Sequence, residues 1–324
     1  MNFDVLEKVR KKKTLLSLPW AEMEELKQFL AHNFGIEQSS DGYDYFETIR
    51  DKCGDRIADE FETLNDIRAL GTPSDGKEAE KKFYDLICED PLLGIVHSEK
   101  WTCIFEAMSY VTSLARLVGF KGTVLDIGCH AGYQTLWLGQ ALQCHSRGID
   151  ASRAAIHYAR TVGEKLGLTP RVATFDKVDF GKDSYSDLAS LVLAAGLPMD
   201  LQELFEKAAA VMSDPGLFVW IGRDEKVYDD SVLRAALMAA GLTIELMDVI
   251  GGWGQEQGVA GFGADLVLVL RHGTDHRVPE DFQSETQSIW NHFAEYANTP
   301  GRPNDEKTIG QYRTFATHGS KHGQ

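Results

Sequence analysis

Asp126, Gly128, His130 and Gly132 alternate through the stretch TVLDIGCHAGYQTLWLG, residues 123–139. An apolar run ends in a carboxylate, and two glycines four residues apart follow. Glycine permits backbone torsions and a close approach that a side chain would block. A helical pattern then begins, and the first N–H groups of a helix have no intrahelical partner. Two ligand classes compete for such a turn. A dinucleotide site needs G-x-G-x-x-G so that a pyrophosphate can rest on the helix N-terminus. Counted from Gly128, that pattern requires glycines at 130 and 133, where the sequence has His130 and Tyr133. The carboxylate of Asp126 would repel a phosphate and suits a cationic amine. Two further acids end apolar runs: Asp150 closes SRGID, 24 residues after Asp126, and Asp176 closes RVATFD.

The elements that must carry these residues follow from the texture of the chain. From Lys121 onward, short β-rich runs alternate with helical patterns. Candidate strands are 123–128, 146–150, 171–176, 189–196 and 217–223, with helices at about 132–142, 152–166, 199–212 and 229–240 between them. That alternation predicts a parallel sheet with helices on both faces. Two last runs, 243–252 and 264–272, are joined by the Gly-rich GGWGQEQGVAGFG with no helix, which predicts an antiparallel pair at one sheet edge. The expected fold is therefore a doubly wound, mostly parallel seven-stranded α/β sheet with a C-terminal antiparallel hairpin, plus an N-terminal helical region. In such a sheet, ligands bind beyond the carboxyl ends of the strands, at the switch point, which is where the glycine turn falls.

LDIGCHAG followed by GID resembles the first two motifs of the class I S-adenosylmethionine-dependent methyltransferases, D/E-x-G-x-G-x-G and then an acid ending the second strand. Asp126, Gly128 and Gly132 match the first motif, and His130 replaces its middle glycine. The resemblance covers residues 100–272 or so, including the VMSDPGLFVW turn before the fifth strand and the closing hairpin. It implies S-adenosylmethionine as cofactor, S-adenosylhomocysteine as product, and in-line displacement at the sulfonium methyl group. It further implies that Asp150, followed by Ala151, holds the ribose hydroxyls, and that Asp176 meets the adenine amino group with the Lys177 N–H on the ring. Asp150 could instead, or as well, cap the helix starting near Ser152, and Asp176 could be a simple turn residue. Cys129 reads as a small buried residue rather than a nucleophile. The His130 imidazole either projects toward the methionine end or the acceptor, or packs outward so that only its backbone touches ligand.

A general base is needed only where the nucleophile must lose a proton. His97 and His130 are the weak candidates, and His97, a lone histidine beside GIV just before the long amphipathic helix expected over EKWTCIFEAMSYVTSLARLVGF, reads more readily as structural. HGTDH (272–276) has metal-ligand spacing for a helix, but Gly273 argues for a loop and no metal is expected. Trp253 and Phe262 in the Gly-rich segment could face substrate as a flap, or the segment could be a plain hairpin loop. A polar stretch at 280–297 has the pattern of one more helix, before a tail expected to be disordered.

The formal charge is −16. Residues 1–95 hold 13 Lys and Arg against 21 Asp and Glu, so half of that excess lies in less than a third of the chain. Such a surface repels phosphate backbones, and nucleic acid is not an expected partner. Five cysteines without a C-x-x-C pair argue for a reducing, cytoplasmic setting. No apolar run reaches membrane-spanning length, so no membrane association is expected. Residues 1–95 read as helices with apolar stripes that need a partner surface, as a cap over the open end of the sheet or as a homodimer contact. Residues 96–272 read as the cofactor-binding domain, and 273–324 as a C-terminal helix and tail. The expected reaction is methyl transfer to an oxygen or nitrogen of a small-molecule acceptor. Methylation of a protein or peptide, and a non-catalytic cofactor-binding partner with the same fold, are the alternatives.

Overall fold

The computed structural model describes residues 1–70, 78–197, 199–251, 264–279 and 313–315, apart from short interruptions at 13–14, 17, 38–44, 80–81, 84, 88, 101–102, 223–226 and 228. The Gly-rich segment with Trp253 and Phe262, the stretch 280–297 and the tail lie outside the described residues.

Nearly continuous apolar runs build the centre of the molecule. The strands are β1 (Thr123–Ile127), β2 (His145–Asp150), β3 (Ala173–Lys177), β4 (Ala189–Ala195), β5 (Met212–Gly222), β6 (Leu242–Gly251), β7 (Ala264–His272) and β8 (Arg313–Phe315). They form one sheet in the order β3-β2-β1-β4-β5-β7-β6-β8. β1 runs parallel to β2 and β4, while β7 runs antiparallel to both β5 and β6. The closing hairpin is as expected, and the three-residue β8 pairs with β6 as an additional edge strand. The chain lays β2 and β3 on one side of β1 and then crosses back to β4, so the switch point lies between β1 and β4.

Neighbouring residues along each strand feed opposite cores. Leu191, Leu193, Leu217 and Val219 enter one apolar cluster, and Val192, Ala194, Phe218 and Trp220 enter the other. The second face is covered by α9 (Leu201–Val211) and α10 (Asp230–Ala240). The Asp200 and Asp229 carboxylates accept the free N–H groups at the starts of these two helices. The first face is covered by α6 (Cys103–Leu117), α7 (Tyr133–Ala141) and α8 (Arg153–Lys165). Trp137 of α7 donates its indole N–H to Thr112 of α6 at 3.1 Å, so the partly polar pair is satisfied in a dry core.

The N-terminal helices divide in two. α1 (Asp4–Lys12) and α2 (Trp20–Phe34) bury Leu6, Val9, Leu26, Phe29 and Leu30 in the same cluster as the sheet. Phe29 packs at a tilt against Trp137 with ring centroids 5.6 Å apart, and Phe34 meets Tyr133 edge-on at 5.9 Å. These two helices therefore complete the core rather than cap it. α3 (Tyr45–Cys53), α4 (Asp55–Leu70) and α5 (Pro91–Lys100) line a second small core around Tyr45, Ile49, Phe61, Phe83, Ile87, Leu93 and Val96, while Ile95 of α5 joins the main cluster. The expected boundary at residue 95 falls inside α5.

Candidate cofactor site

The turn after β1 is held in a left-handed series. Gly128 has φ +74°, His130 +45° and Gly132 +79°. Close quarters, as well as torsion, require the two glycines. A Cβ on Gly128 would stand 2.8 Å from Leu197 Cδ1, and one on Gly132 would stand 2.6 Å from Ala159 Cβ. His130 takes a conformation natural to the glycine it replaces, at a general cost of roughly 1–2 kcal/mol for an L-residue. The turn is tied to β2 by the N–H groups of Gly128 and Cys129, both donating to the Ile149 carbonyl at 2.8 and 3.1 Å.

Asp150, at the end of β2, organises the rest. Its Oδ2 accepts the His130 N–H at 2.9 Å and its Oδ1 accepts the Ser152 N–H at 2.7 Å. The helix start after it is capped by the Ser152 hydroxyl, which accepts from Ala155 N–H at 3.1 Å. Each Asp150 oxygen keeps acceptor capacity beyond these bonds. Ala151 lies exposed between Asp150 and that cap.

Asp126 points back into the molecule. Its carboxylate is buried and accepts from Thr135 Oγ1 at 2.6 Å and Gln134 Nε2 at 3.2 Å, both in the first turn of α7. Burial pushes its pKa up to about 6 against the pull of those two bonds. The acid of the motif thus clamps strand to helix and sets a negative charge behind the turn. Cys129 is also buried, and burial, reinforced by Asp126 and Asp150, raises its thiol well above the usual range. A Cβ on Gly148 would lie 2.7 Å from Cys129 Sγ, so a bare β2 position makes room for this side chain.

Asp176 and Lys177 pair in register with Ile149 and Asp150 at the same end of the sheet, and both are exposed. Arg160 of α8 donates to Asp176 Oδ1 at 3.3 Å and also to the Phe175 carbonyl.

The two histidines have different surroundings. His130 turns its ring into the separate helical core: Nε2 lies 3.2 Å from the Ile87 carbonyl. A carbonyl only accepts, so the proton is on Nε2. Burial lowers the pKa of this imidazole, with Asp150, the Ile87 carbonyl and Asp90 opposing the shift. Gly94 of α5 presses on the same ring, and a Cβ there would fall 1.9 Å from His130 Cε1. His97, three residues on, lies among the aromatic rings of that core, with Nδ1 2.7 Å from the Tyr45 hydroxyl and its ring centroid 5.7 Å from that of Phe83. His272 and His276 each contact a backbone carbonyl, Met212 at 3.3 Å and Leu242 at 2.7 Å, while Asp275 pairs with Arg277.

Reasoning from the sequence missed Gln134, Thr135, Ile87 and Gly94. The first two carry a legible signal, as polar residues at the buried start of a helix. The last two act through backbone, which no side-chain pattern reports.

The donor set tests what the site can hold. Two carboxylates, Asp126 and Asp150, flank the turn, and residues 123–143 contain no Lys or Arg. This chemistry suits hydroxyls and a cation and opposes a diphosphate. Residues 124–216 match a family model described as a methyltransferase domain. No curated protein matches. Among solved structures, the mitomycin 7-O-methyltransferase MmcR is similar at 16% identity and TM-score 0.46, with 71% of this chain and 74% of that one covered. The magnesium protoporphyrin IX methyltransferase ChlM from Synechocystis PCC 6803 with bound SAM is similar at 13% identity and TM-score 0.44, covering 72% of this chain and 100% of that one.

Proposed function

We propose that the chain, whose residues 124–216 match a methyltransferase domain, is a class I S-adenosylmethionine-dependent methyltransferase that methylates an oxygen or nitrogen of a small-molecule acceptor. S-adenosylmethionine supplies a methyl group on a sulfonium sulfur, already activated for in-line displacement. Alignment is the protein's main task, and alignment in general is worth effective molarities on the order of 10⁵–10⁸ M.

In this reading Asp150 takes the ribose hydroxyls with the acceptor capacity left by His130 and Ser152. Asp176 and the Lys177 N–H take the adenine edge, beside Asp150 in the β2–β3 register. The backbone of Gly128, Cys129, His130 and Gly132 lets the methionine end approach, and Asp126 contributes charge from behind the turn. Helices α3–α5 roof the open end of the sheet, keep water out and limit the acceptor to a small molecule. His97, bonded to Tyr45 in the small aromatic core, stays only a candidate for proton removal from an acceptor that must lose one.

One observation carries the reading: the left-handed turn closes onto Asp150 through the His130 N–H, between two carboxylates and without a basic residue. The test is calorimetry with S-adenosylhomocysteine and with NAD. Tight binding of the first alone is expected, and Asp150→Ala should weaken it at least tenfold. NAD binding in its place would overturn the assignment. Labelled S-adenosylmethionine with a metabolite extract should then mark a small-molecule fraction. Label found only on protein would favour a protein methyltransferase, and binding without any turnover a partner subunit.

A further inference from the structure

We propose that His130 is a positioning residue that couples the seating of helices α3–α5 to occupancy of the cofactor site. The proposal rests on the assignment of Asp150 to the cofactor.

The residue has two ends in two different places. Its N–H donates to Asp150 Oδ2 at 2.9 Å. Its ring leaves the turn, donates from Nε2 to the Ile87 carbonyl at 3.2 Å and lies against bare backbone at Gly94. Ile87 belongs to the small core that it and Phe83 form with α3–α5, distinct from the two cores of the sheet, into the first of which α5 reaches with Ile95. A unit with its own core can shift as a body. His130 Nδ1 is buried and has no hydrogen-bond partner among the described residues, so the ring's polar anchor is the Ile87 carbonyl.

The backbone adds a reason for coupling. At φ +45° glycine would sit without cost, whereas histidine holds this conformation only while its surroundings over-determine it. Two restraints do so: Asp150 on the peptide and the cap on the ring. A cofactor that orders Asp150 fixes the peptide, aims the ring and so favours the seated cap. By reciprocity, a seated cap holds the turn ready and tightens cofactor binding by the same factor. If the ring were mere filling, the cap would seat equally well with and without ligand.

The fit at Gly94 supplies the test. On the full chain, hydrogen exchange of residues 45–97 is measured with and without S-adenosylhomocysteine, and its affinity by calorimetry. In the wild type, ligand should slow exchange across 45–70 and 91–97. His130→Gly keeps the turn conformation, and His130→Asn tolerates it. Both should bind more weakly and lose the ligand-dependent protection. Gly94→Ala places a methyl group where the ring sits, and should weaken binding about fivefold or more, the low end of allosteric couplings. In the His130→Gly background the same methyl group meets no ring, so its effect should fall below about twofold, a non-additivity that marks direct contact. Ligand binding with unchanged exchange in the wild type would overturn the proposal, as would an equal Gly94→Ala penalty in both backgrounds. No binding of S-adenosylhomocysteine by the wild type would instead remove the cofactor assignment, and this inference with it.

Discussion

Asp126 and His130 stand four residues apart, the first buried and the second half-buried, with opposite consequences for stability. Asp126 has a folded-state pKa of about 6 against an ordinary 3.8, so the folded protein holds its proton more tightly than the unfolded chain. That stabilisation is full below pH 4 and is lost as pH rises through about 6. The difference of about two units corresponds to about 3 kcal/mol. Asp126→Asn removes the titration, and urea unfolding between pH 4 and 7 should show a flatter profile than the wild type on the acid side of neutrality. An unchanged profile would mean that the carboxyl is not the group responsible. His130 has the reverse sign. Burial depresses its pKa below 6.5, so its contribution is present above that value and is lost as pH falls through the folded pKa. His130→Asn should therefore improve relative stability most at low pH. The glycines at 128 and 132 and the acid at 150 were legible as a turn and its anchor because they act locally. The inward aim of Asp126 was not legible, since it depends on Thr135 and Gln134 closing over it from the next helix.

At the scale of elements, strand and helix limits read from alternation fall within a few residues of the observed ones for β1 to β4 and for α7 to α10. Parallel strands covered on both faces are nearly all apolar, and their connecting helices begin at polar caps, so both signals are strong. β5 begins earlier than its apolar run, at Met212, and the turn-type residues 213–216 stay within the strand where its pairing with β4 shifts register. The α6–α7 contact yields a direct prediction. Thr112 and Trp137 are buried at 0% and 2% exposure, so Thr112→Val strands an indole N–H with no water to accept it. A loss of about 1–3 kcal/mol is expected in denaturant melts, while Trp137→Phe in the same background should recover part of it. A melt shared by wild type and Thr112→Val would show the hydrogen bond to be idle.

Across the whole molecule, the N-terminal third serves two purposes, and the sequence presents it as one acidic helical region. α1 and α2 are part of the main core, so deleting residues 1–95 would expose the sheet rather than merely uncover a pocket. Helices α3–α5 depend on a core of their own, centred on Phe61, whose ring lies 4.3 Å from Phe83 and 5.7 Å from Tyr45. Phe61→Ala, at a general cost of about 3–5 kcal/mol, should open residues 45–97 to limited proteolysis while the sheet fragment resists. Simultaneous loss of both would show a single cooperative unit. No described helix is long and apolar enough to cross a membrane.

Residue order alone settled the alternation of strands and helices, the place of the glycine turn and the acids that follow it, because these rest on neighbours in the chain and on one side-chain period. It also carries the expectation of a cation rather than a diphosphate, since charge and glycine spacing are local. Tertiary structure decided where the His130 ring goes, which way Asp126 faces, and which N-terminal helices belong to the core. Each of those depends on groups brought together from distant positions, such as the Ile87 carbonyl 43 residues from His130, and a backbone carbonyl or a missing side chain leaves no mark in a pattern of residue types.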